Sequence, residues 1–142
     1  MRTFEHDPLS QKVIGAAIEV HRVLGPGLLE SAYEECLCRE MSLRGIEFKR
    51  QVPLAVSYKG IKLDCGYRMD LLIPDRLVIE VKAVEKLLGV HEAQVLTYMR
   101  LSGVPVGLLI NFCTDVLKRG IRRLVAKAED RSELTDGGNQ GP

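Results

Sequence analysis

Three side chains near the middle of the chain have the types and spacing to act on an anionic substrate: Asp70, Glu80 and Lys82. They lie in the run Asp70-Leu71-Leu72-Ile73-Pro74-Asp75-Arg76-Leu77-Val78-Ile79-Glu80-Val81-Lys82, which reads as a strand ending at Pro74-Asp75, a tight turn, and a second strand over 77–82. A strand alternates its faces, so Glu80 and Lys82 share one and Ile79 and Val81 the other. Paired as a hairpin, the two strands bring Asp70 and Glu80 to the same face near one end of a sheet. Converging carboxylates repel each other and are costly away from water unless a cation compensates. A hard ion such as Mg²⁺, which takes carboxylate, carbonyl and water oxygens, suits such a pair. A lysine two positions on could activate a water or stabilise a phosphoryl transition state. The competing structural reading is an exposed Glu80–Lys82 ion pair on a solvent-facing sheet, worth little to stability.

Helices precede these strands. The entry Asp7-Pro8-Leu9-Ser10 offers Asp7 or Ser10 as N-cap, and Val13, Ile14, Ala17, Val20 and Leu24 recur at helical spacing, predicting a helix over 9–24 stopped by Gly25-Pro26-Gly27. His21, near its end, is expected to be a partly buried, hydrogen-bonded histidine rather than a catalytic one. A second helix is expected from residue 28 or 29 to 43, closing at Gly45. Glu30 falls in its first turn, where the helix dipole favours an anion, and Tyr33 follows on the same face, so both can approach one site.

From residue 46 the period changes. Val52, Leu54, Val56 and Tyr58 alternate as a strand does, Lys59-Gly60 makes a turn, and 61–73 supplies return strands. Pro53 argues for an edge position. Arg68, two residues before Asp70, shares its face as a phosphate contact or a partner for the aspartate. After a connection over 83–89, a helix over 90–102 closed by Gly103 sets Gln94 and Tyr98 one turn apart on one face. The apolar run 104–112 reads as a buried strand, parallel to 77–82 through a right-handed crossover.

With 142 residues, 46% hydrophobic and 27% charged, the chain has the proportions of one soluble domain of α/β character over 1–127, with a tail over 128–142 expected to be disordered. No apolar run is long enough to span a membrane and the N-terminus lacks a signal-peptide h-region, from which a cytoplasmic protein is expected. Cys36, Cys38, Cys65 and Cys113 lack paired Cys-x-x-Cys spacing and read as buried reduced thiols. A net charge of +1 gives no overall argument for nucleic acid. Lys118, Arg119, Arg122, Arg123 and Lys127 lie in an acid-free segment, either a phosphate-attracting strip or a solvated face.

The motifs in this order resemble the GxxExxY protein family of the PD-(D/E)xK nuclease superfamily. The naming motif stands as Gly27-Leu28-Leu29-Glu30-Ser31-Ala32-Tyr33. Similarity continues through Val13-Ile14-Gly15-Ala16-Ala17-Ile18-Glu19-Val20-His21, Tyr67-Arg68-Met69-Asp70, Glu80-Val81-Lys82, Val90-His91-Glu92-Ala93-Gln94-Val95-Leu96-Thr97-Tyr98 and Gly107-Leu108-Leu109-Ile110-Asn111-Phe112. It covers roughly 9–125.

The resemblance implies a restriction-endonuclease-like core, a mixed central β-sheet flanked by helices. By it, Asp70 and Glu80 match the metal-binding acids, Lys82 the catalytic lysine, and Glu30 the helical acid that often completes the site. The carbonyl of Val81 is a further expected ligand to Mg²⁺ or Mn²⁺. Gln94 and Tyr98 match a Gln-x-x-x-Tyr element that contacts substrate or positions the site; Tyr33 and Arg68 are expected to serve similarly. Met69 replaces the proline of the superfamily's name. The expected function is a metal-dependent nuclease, DNA ahead of RNA, which a homodimer or protein partner could complete. The alternatives are a nucleic-acid-binding or protein-binding module that keeps the metal site, and a purely structural ion-pair cluster.

Overall fold

The computed structural model describes residues 7–127; the expected disordered tail lies outside the described residues. Helix α1, Pro8–Leu24, begins where Asp7 accepts the Leu9 N–H on its carboxylate at 3.1 Å, so Asp7 and not Ser10 is the N-cap. Of the apolar positions read from the sequence, Val13, Ala17 and Val20 are buried, joined by Ala16, while Ile14 is half-buried and Leu24 at the helix end is exposed. Helix α2, Glu30–Leu43, buries Tyr33, Leu37, Cys38 and Met41.

Five strands form one sheet: β1 Lys49–Pro53, β4 Arg68–Ile73, β5 Leu77–Lys82, β6 Val106–Asn111 and β7 Ile121–Val125, in the order β1-β4-β5-β6-β7. Only β5 and β6 run parallel, joined through helix α3, Gly89–Ser102; the other neighbours are antiparallel. Pro53, which has no N–H to donate, sits on an edge strand as expected. The sheet divides two apolar layers. Leu77, Ile79 and Val81 of β5 pack with α1 and α2, while Val78 packs with Val95 and Met99 of α3. Alternation therefore puts Glu80 on the α3 side. This is a mixed α/β fold of restriction-endonuclease-like character.

Several sequence expectations need correction. The strand run expected from 52 to 58 breaks after Pro53, and the return run 61–73 breaks between 63 and 68. The pieces between, β2 Val56–Tyr58 and β3 Ile61–Leu63, pair among the described residues only with each other, as a separate two-stranded sheet. The acid-free segment is not one strip: it contains a 3-10 turn, Leu117–Gly120, and then β7, where Arg122 and Arg123 alternate between faces. Arg122 pairs with Glu92 at 3.6 Å. Of the cysteines only Cys38 is buried, and Cys65 is exposed. His21 is hydrogen-bonded as expected, its Nε2 lying 2.7 Å from the Thr114 carbonyl oxygen. Among the described residues no helix is long and apolar enough to cross a membrane.

Candidate active site

The backbone ladder between β4 and β5 has its last pair at Leu71 and Ile79. One step beyond, side-chain carboxylates take over as acceptors. The Asp70 N–H donates to Glu80 Oε2 at 2.9 Å, and the Val81 N–H donates to Asp70 Oδ2 at 2.8 Å. Each acid thus satisfies an amide that the splaying strands would otherwise strand. The two carboxylates are held together as expected, but Glu80 is only 3% exposed. That burial overturns the solvent-face ion-pair reading.

Burial, followed by the Asp70 charge, pushes the Glu80 carboxyl up to about 8, against the opposing pull of the Asp70 amide and Lys82. Burial likewise raises Asp70, with the Val81 amide and Lys82 opposing and the charges of Glu34 and Glu30 adding to the rise. Lys82, half-buried at the end of β5, therefore lies within electrostatic reach of both acids without neutralising them. Glu30 is exposed at the start of α2 and acts on Asp70 through its charge. On α3, Gln94 Nε2 donates to the Tyr98 hydroxyl at 3.1 Å, and the phenol is raised by burial first and then by the charge of Glu80. The Gln94–Tyr98 face thus looks onto the acids.

Two expected members stand elsewhere. Tyr33 is fully buried; its ring stacks on Phe112 at 4.6 Å, and its hydroxyl donates to the Gly25 carbonyl while its own oxygen accepts the Leu28 N–H. Burial removes substrate contact from its two expected roles and leaves it tying down the turn before α2. Arg68 is exposed, and the carboxylate of Asp70 is bonded by Val81 and Gln51 instead.

Sequence reasoning missed a group of supporting residues on the β1 side. Glu34, 6% exposed, accepts from Arg50 Nε at 2.8 Å and from Gln51 Nε2 at 2.9 Å, and the same Gln51 amide reaches Asp70 Oδ1 at 3.4 Å. Gln51 does this from a left-handed backbone, φ +53, a conformation a non-glycine side chain adopts at some cost. Glu34 stands one helical turn from Glu30, a spacing that could have flagged it; no local pattern marks Gln51. Buried Asn111 was also unassigned. Its side chain accepts from Val84 N–H at 3.0 Å and donates to the Val84 carbonyl at 2.9 Å, fixing the chain just after Lys82.

A buried Glu80 carboxylate facing the half-buried carboxylate of Asp70, with one lysine nearby, suits a hard divalent cation, and Mg²⁺ commonly uses one or two carboxylates with water and phosphate oxygens completing its shell. Among the described residues no group of three or more His, Cys, Asp or Glu side chains is arranged to hold a metal. No such group joins Glu30 to Asp70 and Glu80, and its link to the pair is the charge it exerts on Asp70.

No curated protein and no solved structure matches the chain. A family model for the PD-(D/E)XK nuclease superfamily matches residues 7–124, a span that contains both acids, the lysine, α3 and all five strands of the sheet except the last residue of β7. The paired acids at the strand fork and the lysine beyond them thus sit within a matched span of most of the chain, which belongs to the PD-(D/E)XK nuclease superfamily.

Proposed function

We propose that the protein is a divalent-metal-dependent nuclease that hydrolyses phosphodiester bonds, DNA ahead of RNA, and that it falls in the GxxExxY group through Gly27, Glu30 and Tyr33. The observation that carries this reading is the fork itself: half-buried Asp70 and buried Glu80 are held together with raised carboxyl pKa values and with Lys82 within electrostatic reach. Asp70, Glu80 and the Val81 carbonyl would hold Mg²⁺ or Mn²⁺, which supplies Lewis-acid polarisation of phosphate and a lowered pKa for water when bound.

The chain's own groups divide the remaining work. Lys82 puts a positive charge where negative charge grows on the phosphoryl oxygens. The Asp70 and Val81 amides lock each carboxylate in place, so no reorganisation is needed as the reaction proceeds. Gln94 and Tyr98 offer polar groups from α3 to orient the substrate, and Arg68 offers an exposed cation for a flanking phosphate. Glu30, on the exposed first turn of α2, adds negative charge at the mouth of the site.

Asp70→Asn and Glu80→Gln are expected to abolish cleavage of labelled DNA in Mg²⁺ or Mn²⁺ while the circular dichroism spectrum stays that of the wild type. Wild-type cleavage rates in either variant would remove the assignment.

A further inference from the structure

Among the described residues the β2–β3 hairpin pairs with no other strand. Isolated two-stranded hairpins are at best marginally stable in water, so its exposed surface calls for a reason other than folding. Register places Val56 opposite Leu63 and Tyr58 opposite Ile61, one face, with Ser57 opposite Lys62 on the other. On the first face Tyr58 and Ile61 are each 59% exposed. Lys59 Nζ lies 5.3 Å from the centre of the Tyr58 ring, and Lys59 and Gly60 both have positive φ, +46 and +86, the two-residue turn that fits hairpin twist. A lysine holds a position that asparagine or glycine would occupy at less conformational cost, and the tip carries a cation beside an aromatic ring.

The hairpin leaves the sheet at the end that carries the acids. Its base is closed by the Leu54 N–H donating to the Tyr67 carbonyl at 2.9 Å, next to the Pro53–Arg68 pair, and Asp70 follows two residues later. Tyr67, 46% exposed, lies close enough to Tyr98 for their phenols to interact electrostatically. Between 54 and 68 the only charges are Lys59, Lys62, Arg68 and one acid, Asp64, a cationic excess in a chain of net charge +1. Exposed aromatics interleaved with cations match the way proteins grip unpaired strands, by stacking on bases while lysines follow phosphates.

We propose that the β2–β3 hairpin is a nucleic-acid-binding arm that stacks Tyr58 on unpaired bases, with Ile61 packed beside it, and directs single-stranded nucleic acid to the Asp70–Glu80 fork. The proposal deepens the nuclease reading and rests on it for the occupant of the fork. Duplex bases are already stacked on both sides and have no free face for the arm.

Fluorescence anisotropy with a labelled single-stranded DNA and its duplex, in chelator so that nothing is cleaved, tests the arm apart from catalysis. Tighter binding of the single strand is expected, with Tyr58→Ala/Ile61→Ala weakening it about tenfold or more, as loss of base stacking does, and Tyr58→Phe close to wild type. Lys59→Gln/Lys62→Gln should flatten the salt dependence by about 0.7 in log–log slope for each phosphate no longer neutralised. Both double variants should melt with the wild type, since the replaced groups are exposed.

Unchanged single-strand affinity in Tyr58→Ala/Ile61→Ala overturns the arm, as does an equal loss for duplex, an absence of DNA binding, or a dimer in sedimentation that this variant alone dissolves. Cleavage by a wild type whose affinity ignores the hairpin would leave the nuclease standing without the arm. Hairpin-dependent binding without cleavage in Mg²⁺ or Mn²⁺ would leave the arm standing without the nuclease.

Discussion

At Glu80, burial and the charge of Asp70 act in the same direction, and the carboxyl keeps its proton up to about pH 8. The unfolded chain releases that proton near the ordinary 4.5, so between those values the folded state binds more protons than the unfolded one. Stability from this group is fully present below about 4.5 and is lost as pH rises through about 8; Asp70 shifts in the same direction. The urea midpoint of the metal-free protein is therefore expected to fall between about pH 5.5 and 8.5, and Glu80→Gln should flatten the fall. An identical fall in that variant would place its cause in other groups. Because cation and proton compete for the same oxygens, Mg²⁺ or Mn²⁺ should raise the wild-type melting temperature more at about pH 8.5 than at about pH 6, and should raise that of Glu80→Gln little at either.

Helix α3 brings Gln94 and Tyr98 to the acids because Gly107 lets it lie close on the sheet. A Cβ at Gly107 would come 2.6 Å from Val95 Cγ1 and 2.7 Å from Met99 Sδ, distances that force one of them to move. Gly107→Ala is expected to cost about 1–3 kcal/mol in urea unfolding, the usual range for overpacking, and to slow cleavage because α3 carries two side chains of the site with it. A variant as stable and active as wild type would show that Val95 and Met99 swing aside without displacing the helix. Asn111 acts similarly at the next connection: its paired bonds to Val84 hold the segment after Lys82 while the parallel register sets Lys82 beside Asn111 itself.

Across the whole molecule the polar machinery gathers at one end of the sheet. The C-terminal ends of β1 and β5 and the N-terminal end of β4 meet there, and the hairpin departs from the same end. The basic residues near the C-terminus are arranged differently. Arg122 on edge strand β7 is partnered by Glu92 and by carbonyls of Arg119 and Ile121, so replacing it is expected to leave the salt dependence of DNA binding unchanged, as measured by anisotropy from low to high salt. A shallower slope in Arg122→Ala would bring β7 into the interface.

Periodicity was enough to read α1, α2, α3, the Glu80 strand and its parallel neighbour, because each keeps an apolar face over many residues and the pattern is local. The motifs around Asp70, Glu80 and Lys82 were legible for the same reason: a period of two and a turn at Pro74-Asp75 suffice to bring them together. Strand β7 was not, since its arginines obscured the alternation of a short edge strand. Nor was the separate hairpin, whose break at Pro53 depends on which strands pair rather than on any residue's own preference. The amides of Asp70 and Val81, the Gln51 bridge to Glu34 and the burial of Tyr33 join residues far apart in sequence or rest on an unusual backbone angle. Local sequence therefore determined which side chains could do the chemistry, and only tertiary packing decided how much water they lose and which partners hold them, because desolvation and long-range hydrogen bonds exist only once the layers close.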